Sequence, residues 1–128
     1  MNPKILFVDD EVNILNALRR DMVMADIDAE YFISAKAAFE YLSQHPVGIV
    51  VSDLNMPEMD GITFLEEVQR EYPDTYRVIL SGADEKNKQL KEALLNRTVE
   101  QFFAKPWNID ELLAYFERFK SYVKYSII

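Results

Sequence analysis

Short apolar runs alternate along this chain with segments in which apolar residues recur at three- and four-residue intervals. The apolar runs predict β-strands at 4–9, 28–33, 48–53, 77–81 and 99–104. The spacing of Leu15, Leu18 and Met22 is typical of the segments between them, and it predicts amphipathic helices. Because strand and helix alternate throughout, the pattern predicts a parallel sheet with helices on both faces.

Local signals indicate where several of these helices begin and end. Ser34 can cap the second helix, and Asp84 is the expected start of the fourth. Asn96 is a plausible left-handed stop for that fourth helix. Asn108 and Glu111 have the spacing of a capping box before the fifth helix, which should bury Ile109, Leu112, Leu113, Phe116 and Val123. The second strand is more polar than the others and is expected near a sheet edge.

The third strand contains consecutive β-branched residues and ends at Asp53, and turn-forming residues follow up to Gly61. Other strands also end in reactive groups, namely Asp9 and Asp10 after the first, Ser81 after the fourth and Lys105 after the fifth. In a doubly wound sheet of order 2-1-3-4-5, strands one and three are neighbours at the switch point. The three aspartates are therefore expected to converge.

Converging carboxylates repel one another, so they either share a proton or hold a hard cation, for which Mg²⁺ is the better candidate. The ammonium of Lys105 and the hydroxyl of Ser81 are groups that suit the oxygens of a phosphoryl group. Together these residues indicate phosphoryl transfer, with Asp53 as a nucleophile that forms an aspartyl phosphate. Each residue has an ordinary structural interpretation by itself, as a cap, a turn hydroxyl or a surface lysine, and the combination carries the prediction.

Composition narrows the function classes further. The 128 residues suit one domain, and the net charge of −8 argues against direct binding to nucleic acid or to an anionic membrane surface. The chain has no cysteine, which excludes disulfides and thiolate metal sites and favours a reducing compartment. It has no apolar run of the ~20 residues that a membrane-spanning helix needs. A cytoplasmic location is expected.

Four motifs carry a resemblance to a known family. They are Val-Asp-Asp-Glu at 8–11, Asp-Leu-Asn-Met-Pro-Glu-Met-Asp-Gly at 53–61, Ser-Gly-Ala at 81–83 and Lys-Pro-Trp at 105–107. In this order and on these elements, they make the chain resemble bacterial response-regulator receiver domains of two-component signalling, from Ile5 to about Tyr122. The resemblance implies a flavodoxin-like receiver fold at 1–122, followed at 123–128 by a tail or the start of a linker to an output domain.

The resemblance also implies a role for each site residue. Asp53 would accept a phosphoryl group from a histidine kinase or phosphotransfer protein, assisted by Lys105 and Ser81. Mg²⁺ would be bound directly by Asp10, Asp53 and the backbone carbonyl of Asn55, and by Asp9 through water. Such domains can also phosphorylate themselves from small phosphodonors and dephosphorylate themselves, without being classical turnover enzymes.

Further roles follow from the same resemblance. Ser81 and Phe102 would form the switch, Asn55 and Ala83 would tune hydrolysis, and Lys105-Pro106 would be a cis peptide. The switch would be read out on the fourth helix, fifth strand and fifth helix by an output domain or downstream protein, and a phosphorylation-dependent homodimer is left open. The kinase would dock on a surface formed by Ile14, Leu18, Pro106 and Trp107.

Three rival functions are open to test. A phosphate-independent scaffold of the same shape would have the fold without the chemistry. A Mg²⁺-dependent phosphohydrolase generally needs a second acid two residues after the nucleophile, where this chain has Asn55. A nucleotide or flavin binder needs a phosphate loop rich in glycine and backbone amides, whereas Asp9, Asp10 and Glu11 would repel phosphate.

Overall fold

The computed structural model describes residues 4–82 and 87–127, with side chains as far as residue 119. Strands and helices alternate as the pattern predicts. The strands are β1 (Ile5–Val8), β2 (Ala29–Phe32), β3 (Ile49–Ser52), β4 (Tyr76–Ser81) and β5 (Gln101–Ala104). The helices are α1 (Val12–Met24), α2 (Ala35–Leu42), α3 (Gly61–Glu71), α4 (Lys88–Leu95) and α5 (Ile109–Ile127).

The strands form one parallel sheet in the order β2-β1-β3-β4-β5, which confirms the predicted order and the edge position of the second strand. In the register, Val8 lies opposite Phe32 on one side and Ser52 on the other. The last residues of β1 and β3 are therefore neighbours. The residues that follow these two strands emerge side by side at the carboxyl edge of the sheet.

Two hydrophobic cores cover the two faces of the sheet, as expected for strands that are apolar on both sides. One core, called here the α2–α3–α4 core, takes Leu6, Val50 and Ile79 from the strands. The other, the α1–α5 core, takes Ile5, Phe7, Ile49, Val51, Val78 and Leu80. Residues one position apart on a strand enter opposite cores, so a sheet buried on both faces uses every position of its central strands.

Side-chain caps define most of the helix starts. Ser34, Asp60 and Asn87 each accept a hydrogen bond from a backbone N–H in the first turn of α2, α3 and α4 respectively. Asn108 does the same for α5, since its Oδ1 accepts from Glu111 N at 3.1 Å. These bonds satisfy donors that a helix cannot pair internally. The caps predicted at Ser34 and Asn108 are confirmed, and the reciprocal bond from the Glu111 side chain that would complete a capping box stays a prediction.

The predicted left-handed stop of α4 is wrong by one residue. Asn96 ends the helix with φ −92°, and the left-handed residue is Arg97, with φ 65°. The predicted start at Asp84 lies outside the described residues, and the side chain of Val123 also lies outside them. Helix α5 continues through the predicted domain boundary at 122 as far as Ile127. Within the described part of the chain, no helix combines the length and the apolar character that crossing a bilayer requires.

Candidate functional site

An acidic cluster lies at the carboxyl edge of the sheet, where β1 and β3 end. Asp9, Asp10 and Asp53 each contribute one carboxylate oxygen to a set whose members all lie within 4.8 Å of one another. Asp9 and Asp53 are 3% and 7% exposed, whereas Asp10 is open to solvent. The convergence expected from the strand order is confirmed. Backbone pairing causes it, because Asp53 N donates to Val8 O at 3.0 Å.

Lys105 brings a positive charge to this cluster from β5. Its Nζ donates to Asp9 Oδ2 at 2.6 Å and lies 3.5 Å from Asp53 Oδ1. The backbone of Lys105 is fixed to the neighbouring strand, since its N–H donates to Ser81 O at 3.0 Å. The side chain of Lys105 is 13% exposed, so its ammonium contacts the carboxylates in a largely buried environment.

Backbone N–H groups orient the two buried carboxylates. Asp53 Oδ1 accepts from Leu54 N at 2.8 Å, and Asp9 Oδ1 accepts from Glu11 N at 2.8 Å. Both oxygens of Asp9 therefore already have protein donors, one from the backbone and one from Lys105. These hydrogen bonds restrict the orientation of both carboxylates.

Burial and charge act in opposite directions on the ionisable groups of the site. Burial raises the pKa of Asp9, and the hydrogen bonds from Lys105 and Glu11 offset this only in part. For Lys105, burial lowers the pKa, but the hydrogen bond to Asp9 and the charge of Asp53 outweigh it and raise the pKa overall. Lys105 consequently remains an ammonium at neutral pH.

The loop after Asp53 is held tightly against it. Gly61 N donates to Leu54 O at 2.8 Å, and a Cβ on Gly61 would collide with the backbone carbonyl oxygen of Asp53. Close approach, rather than a positive φ, is therefore the reason for glycine here. Within the loop, Glu58 has φ 72° at the centre of a three-residue turn in which Met59 N donates to Pro57 O at 2.8 Å.

Other predicted site residues lie around this centre. Ser81 is buried at the end of β4. In the strand register it pairs with Ala104, the residue that precedes Lys105. Phe102 is half-buried and packs on the α2–α3–α4 core, whereas Phe103 enters the α1–α5 core. Asn55 is exposed next to the cluster, and Ala83 lies outside the described residues. Their switch and tuning roles stay predictions.

The predicted docking surface needs one correction. Leu18 is 1% exposed and belongs to the α1–α5 core, so its side chain cannot meet a partner and its assignment to the surface is wrong. Its place in the apolar stripe of α1 already indicated this. Ile14 and Trp107 are half-buried and Pro106 is exposed, so these three stay candidates. The cis peptide between Lys105 and Pro106 is confirmed.

Some residues that shape the site were not anticipated from the sequence. Ser52 is fully buried, and its hydroxyl donates to the backbone carbonyl oxygen of Asp53 at 2.8 Å. Asp21 accepts a hydrogen bond from Trp107 Nε1 at 2.9 Å, which joins α1 to the loop that carries Lys105. The serine reads as an ordinary strand residue and the aspartate as a solvated position on a helix, so neither carries a local signal.

The cluster can hold a cation. All of its donor atoms are oxygens, the exposed side of Asp10 leaves room for water, and oxygen ligands with several retained waters are what Mg²⁺ requires. The residues present therefore fit Mg²⁺.

Known proteins resemble this chain in both sequence and fold. The family model described as the response regulator receiver domain matches residues 5–117. The hydrogenase transcriptional regulatory protein HoxA of Cupriavidus necator is 31% identical over 113 residues, which cover 85% of this chain and 22% of HoxA. The chain thus spans about a fifth of the length of that relative.

Solved structures agree with this assignment. The signal receiver domain of an HD domain-containing protein from Pseudomonas fluorescens Pf-5 is 29% identical, with a TM-score of 0.85 over 94% of this chain and 88% of that chain. A CheY-like receiver domain protein from Methanospirillum hungatei, 21% identical, matches in fold with a TM-score of 0.86 over 97% of this chain and 98% of that chain. This chain belongs to the family of response regulator receiver domains.

Proposed function

We propose that this domain is a signalling switch in which Asp53 accepts a phosphoryl group from the phosphohistidine of a partner kinase or phosphotransfer protein. The observation that carries the proposal is the position of Asp53, a buried carboxylate at a strand end, with Lys105 Nζ 3.5 Å away and two further carboxylates beside it. Family membership supports a phosphoacceptor role. Asp53, Lys105 and Ser81 are the residues that we assign to the reaction.

The transfer is a substitution at phosphorus. A bond forms between a carboxylate oxygen of Asp53 and phosphorus while the phosphorus–nitrogen bond breaks. The electron pair of that bond returns to the ring nitrogen, and the partner histidine leaves as a neutral imidazole that carries its proton on the other ring nitrogen. The attacking group is a carboxylate oxygen rather than a hydroxyl or a thiol, so the step has no place for a general base. Lys105 balances charge on the phosphoryl oxygens, and we assign the hydroxyl of Ser81, which is buried at the end of β4, as a donor to one of them.

Mg²⁺ would be held by Asp10, Asp53 and the carbonyl of Asn55, with Asp9 acting through water. When bound, it neutralises charge on the phosphoryl oxygens. The existing bonds of Asp9 support its indirect role, since Glu11 N and Lys105 Nζ already donate to its two oxygens. The exposed side chain of Asp10 supports its direct role, because it borders the solvent from which the cation would come.

The readout is assigned to the face formed by α4, β5 and α5. Helix α4 buries Leu90 and Ala93, whereas Leu95 is 85% exposed. A groove of about 410 Å³ runs beside it, lined by Tyr76, Leu94, Arg97, Val99, Glu100 and Tyr115. A helix that buries only these two side chains and lies next to a groove suits a surface whose preferred arrangement changes. Phosphorylation would act on it through Ser81 and Phe102, by stabilising one arrangement over the other.

The partners remain part of the proposal. The stretch that HoxA shares with this chain is 22% of the length of HoxA, which supports an output domain or a downstream protein. The kinase would dock near Ile14, Pro106 and Trp107. We place the receiver at 1–122 and the tail or linker at 123–128, in the cytoplasm, with a phosphorylation-dependent homodimer as a further assembly.

The switch can be tested without a kinase. Beryllofluoride with Mg²⁺ mimics a phosphorylated aspartate, and two-dimensional amide NMR should show shifts around Asp53 that extend to α4, β5 and α5. Asp53→Asn should abolish those shifts. Unchanged wild-type spectra would favour a phosphate-independent scaffold, and multiple turnover on a generic phosphate ester would favour a phosphohydrolase instead.

A further inference from the structure

The loop that carries Lys105 is short and is fixed at both ends. It spans residues 105–108, between the end of β5 and the start of α5. At its beginning, Lys105 N donates to Ser81 O at 3.0 Å. At its end, Asn108 caps α5 by accepting from Glu111 N at 3.1 Å. The backbone between these two points, at Pro106 and Trp107, needs a separate anchor if the loop is to be rigid.

The side chain of Trp107 supplies that anchor. Its Nε1 donates to Asp21 Oδ2 at 2.9 Å, and Asp21 lies on α1, 86 positions earlier in the chain. The indole ring packs against the α1–α5 core. An ionised acceptor makes such a bond about twice as strong as one between neutral groups. The middle of the loop is thereby fastened to a helix that is itself packed on the sheet.

We propose that Trp107 and Asp21 are positioning residues for phosphoryl transfer, because they hold the backbone from which Lys105 reaches the site. This inference rests on the proposed role of Asp53. Lys105 Nζ lies 2.6 Å from Asp9 Oδ2 and 3.5 Å from Asp53 Oδ1 at the same time. Its side chain is enclosed, so rotation about its own bonds cannot easily absorb a displacement of the loop.

A plain packing role for Trp107 makes a different prediction. If the ring only covers the rim of the core, Trp107→Phe should behave like the wild type and the identity of residue 21 should not matter. If the hydrogen bond positions the loop, losing the donor or the acceptor should have the same effect. The two residues should then be coupled energetically, because either change breaks the same bond.

The test is the rate of Asp53 phosphorylation by acetyl phosphate with Mg²⁺, followed by intact mass. Asp21→Ala and Trp107→Phe should each slow the rate, on the order of tenfold, which is less than the hundredfold that a 1 Å misplacement can cost. The double variant should be no slower than either single variant. Asp21→Asn, whose side-chain oxygen can still accept, should restore most of the rate. Glu40→Ala, which removes an exposed acid on α2, controls for charge.

A spectroscopic readout accompanies the rates. Trp107 is the only tryptophan in the chain, so its indole N–H gives a single signal in a nitrogen–proton correlation spectrum. That signal should move in Asp21→Ala and return towards its wild-type position in Asp21→Asn. It should also shift when beryllofluoride and Mg²⁺ are added to the wild type, because Lys105 and Trp107 share one short loop.

The outcomes separate this inference from the proposed function. A wild-type chain that takes no phosphoryl group would refute the proposed function and the positioning role with it. A phosphorylated wild type with Asp21→Ala and Trp107→Phe as fast as Glu40→Ala would overturn the positioning role alone. Slow single variants whose effects multiply in the double variant would also overturn it, since two independent packing defects give that result.

Discussion

Replacing Asp53 by asparagine is expected to stabilise the fold when no divalent cation is present. Asp53 is 7% exposed and shares its site with the carboxylates of Asp9 and Asp10 and with the ammonium of Lys105. Asparagine has nearly the same shape, and its Oδ1 can keep the hydrogen bond that Leu54 N donates to Asp53 at 2.8 Å. The substitution therefore changes the charge with little change in packing.

The distances between the charges determine how much the substitution should change the free energy of unfolding. At an effective dielectric constant of about 20, a carboxylate at the 4.8 Å outer limit of the cluster repels Asp53 by about 3.5 kcal/mol, and Lys105 at 3.5 Å attracts it by about 4.7 kcal/mol. The repulsion from Asp10 is weaker than that from Asp9 because Asp10 is exposed, so the Coulomb contributions nearly cancel. Desolvation of the buried carboxylate, which costs several kcal/mol per ion, then decides the sign. We expect Asp53→Asn to raise the free energy of unfolding by about 1–3 kcal/mol.

Urea unfolding followed by circular dichroism in EDTA measures this difference. Asp74→Asn is the matched control, because Asp74 is an exposed acid between α3 and β4 at the opposite edge of the sheet, and it should change stability by less than about 0.5 kcal/mol. Mg²⁺ at ten times its dissociation constant should stabilise the wild type by about 1.4 kcal/mol and narrow the gap. If Asp53→Asn is less stable than the wild type in EDTA, the attraction of Lys105 dominates and the reasoning is wrong.

Two further substitutions test the structure around the site. Gly61→Ala should destabilise the fold by about 1–3 kcal/mol, because the new Cβ meets the carbonyl of Asp53 and outweighs the gain in helix propensity. Gly82→Ala, where a Cβ meets nothing within 4 Å, should be nearly neutral in the same urea titration. Arg77→Met should lower the free energy of unfolding by about 3–5 kcal/mol, because it leaves buried backbone carbonyls without a hydrogen-bond donor. Arg70→Met, at a side chain that is 67% exposed, should lower it by less than about 1 kcal/mol. Equal thermal stability of the two arginine variants would contradict the second prediction.

The strand ends could be predicted from the sequence because the β/α alternation leaves few topologies. The strand order then determines that Asp9, Asp53 and Lys105, which follow three parallel strands, lie at the same edge of the sheet. The periodicity of α1 also identified Leu18 as a core residue. The error over this residue came from the resemblance to known receivers, which describes a helix as a docking element without separating its buried stripe from its exposed face.

Bonds between distant elements could not be predicted in the same way. The contact from Trp107 to Asp21 joins residues 86 positions apart, and no local pattern marks either partner. Arg77 likewise reads as a polar residue at the start of a strand. It is in fact buried, and its guanidinium donates to the carbonyls of Thr75, Arg97 and Thr98. Such residues are determined by the packing of loops, which hydrophobic periodicity does not encode.

The sequence predicted only part of the backbone conformation at the turns. Apart from glycine, asparagine is among the residues that most often adopt the left-handed conformation, and this favours Asn96 over Arg97. However, Arg77 Nη2 donates to the carbonyl of Arg97 at 3.1 Å, and this tertiary contact places the left-handed residue one position later. The sequence also marked Gly61 as a turn residue. The physical reason, the nearby carbonyl of Asp53, becomes visible only in three dimensions.

The most direct test of the central claim is the intact mass of the protein after incubation with acetyl phosphate and Mg²⁺. The wild type and the Asp74→Asn control should each gain the mass of one phosphoryl group per chain, and EDTA should prevent the gain. Asp53→Asn, whose side chain cannot form the acyl phosphate, should gain none. Stoichiometric phosphorylation of Asp53→Asn would contradict the assignment of Asp53 as the phosphoacceptor.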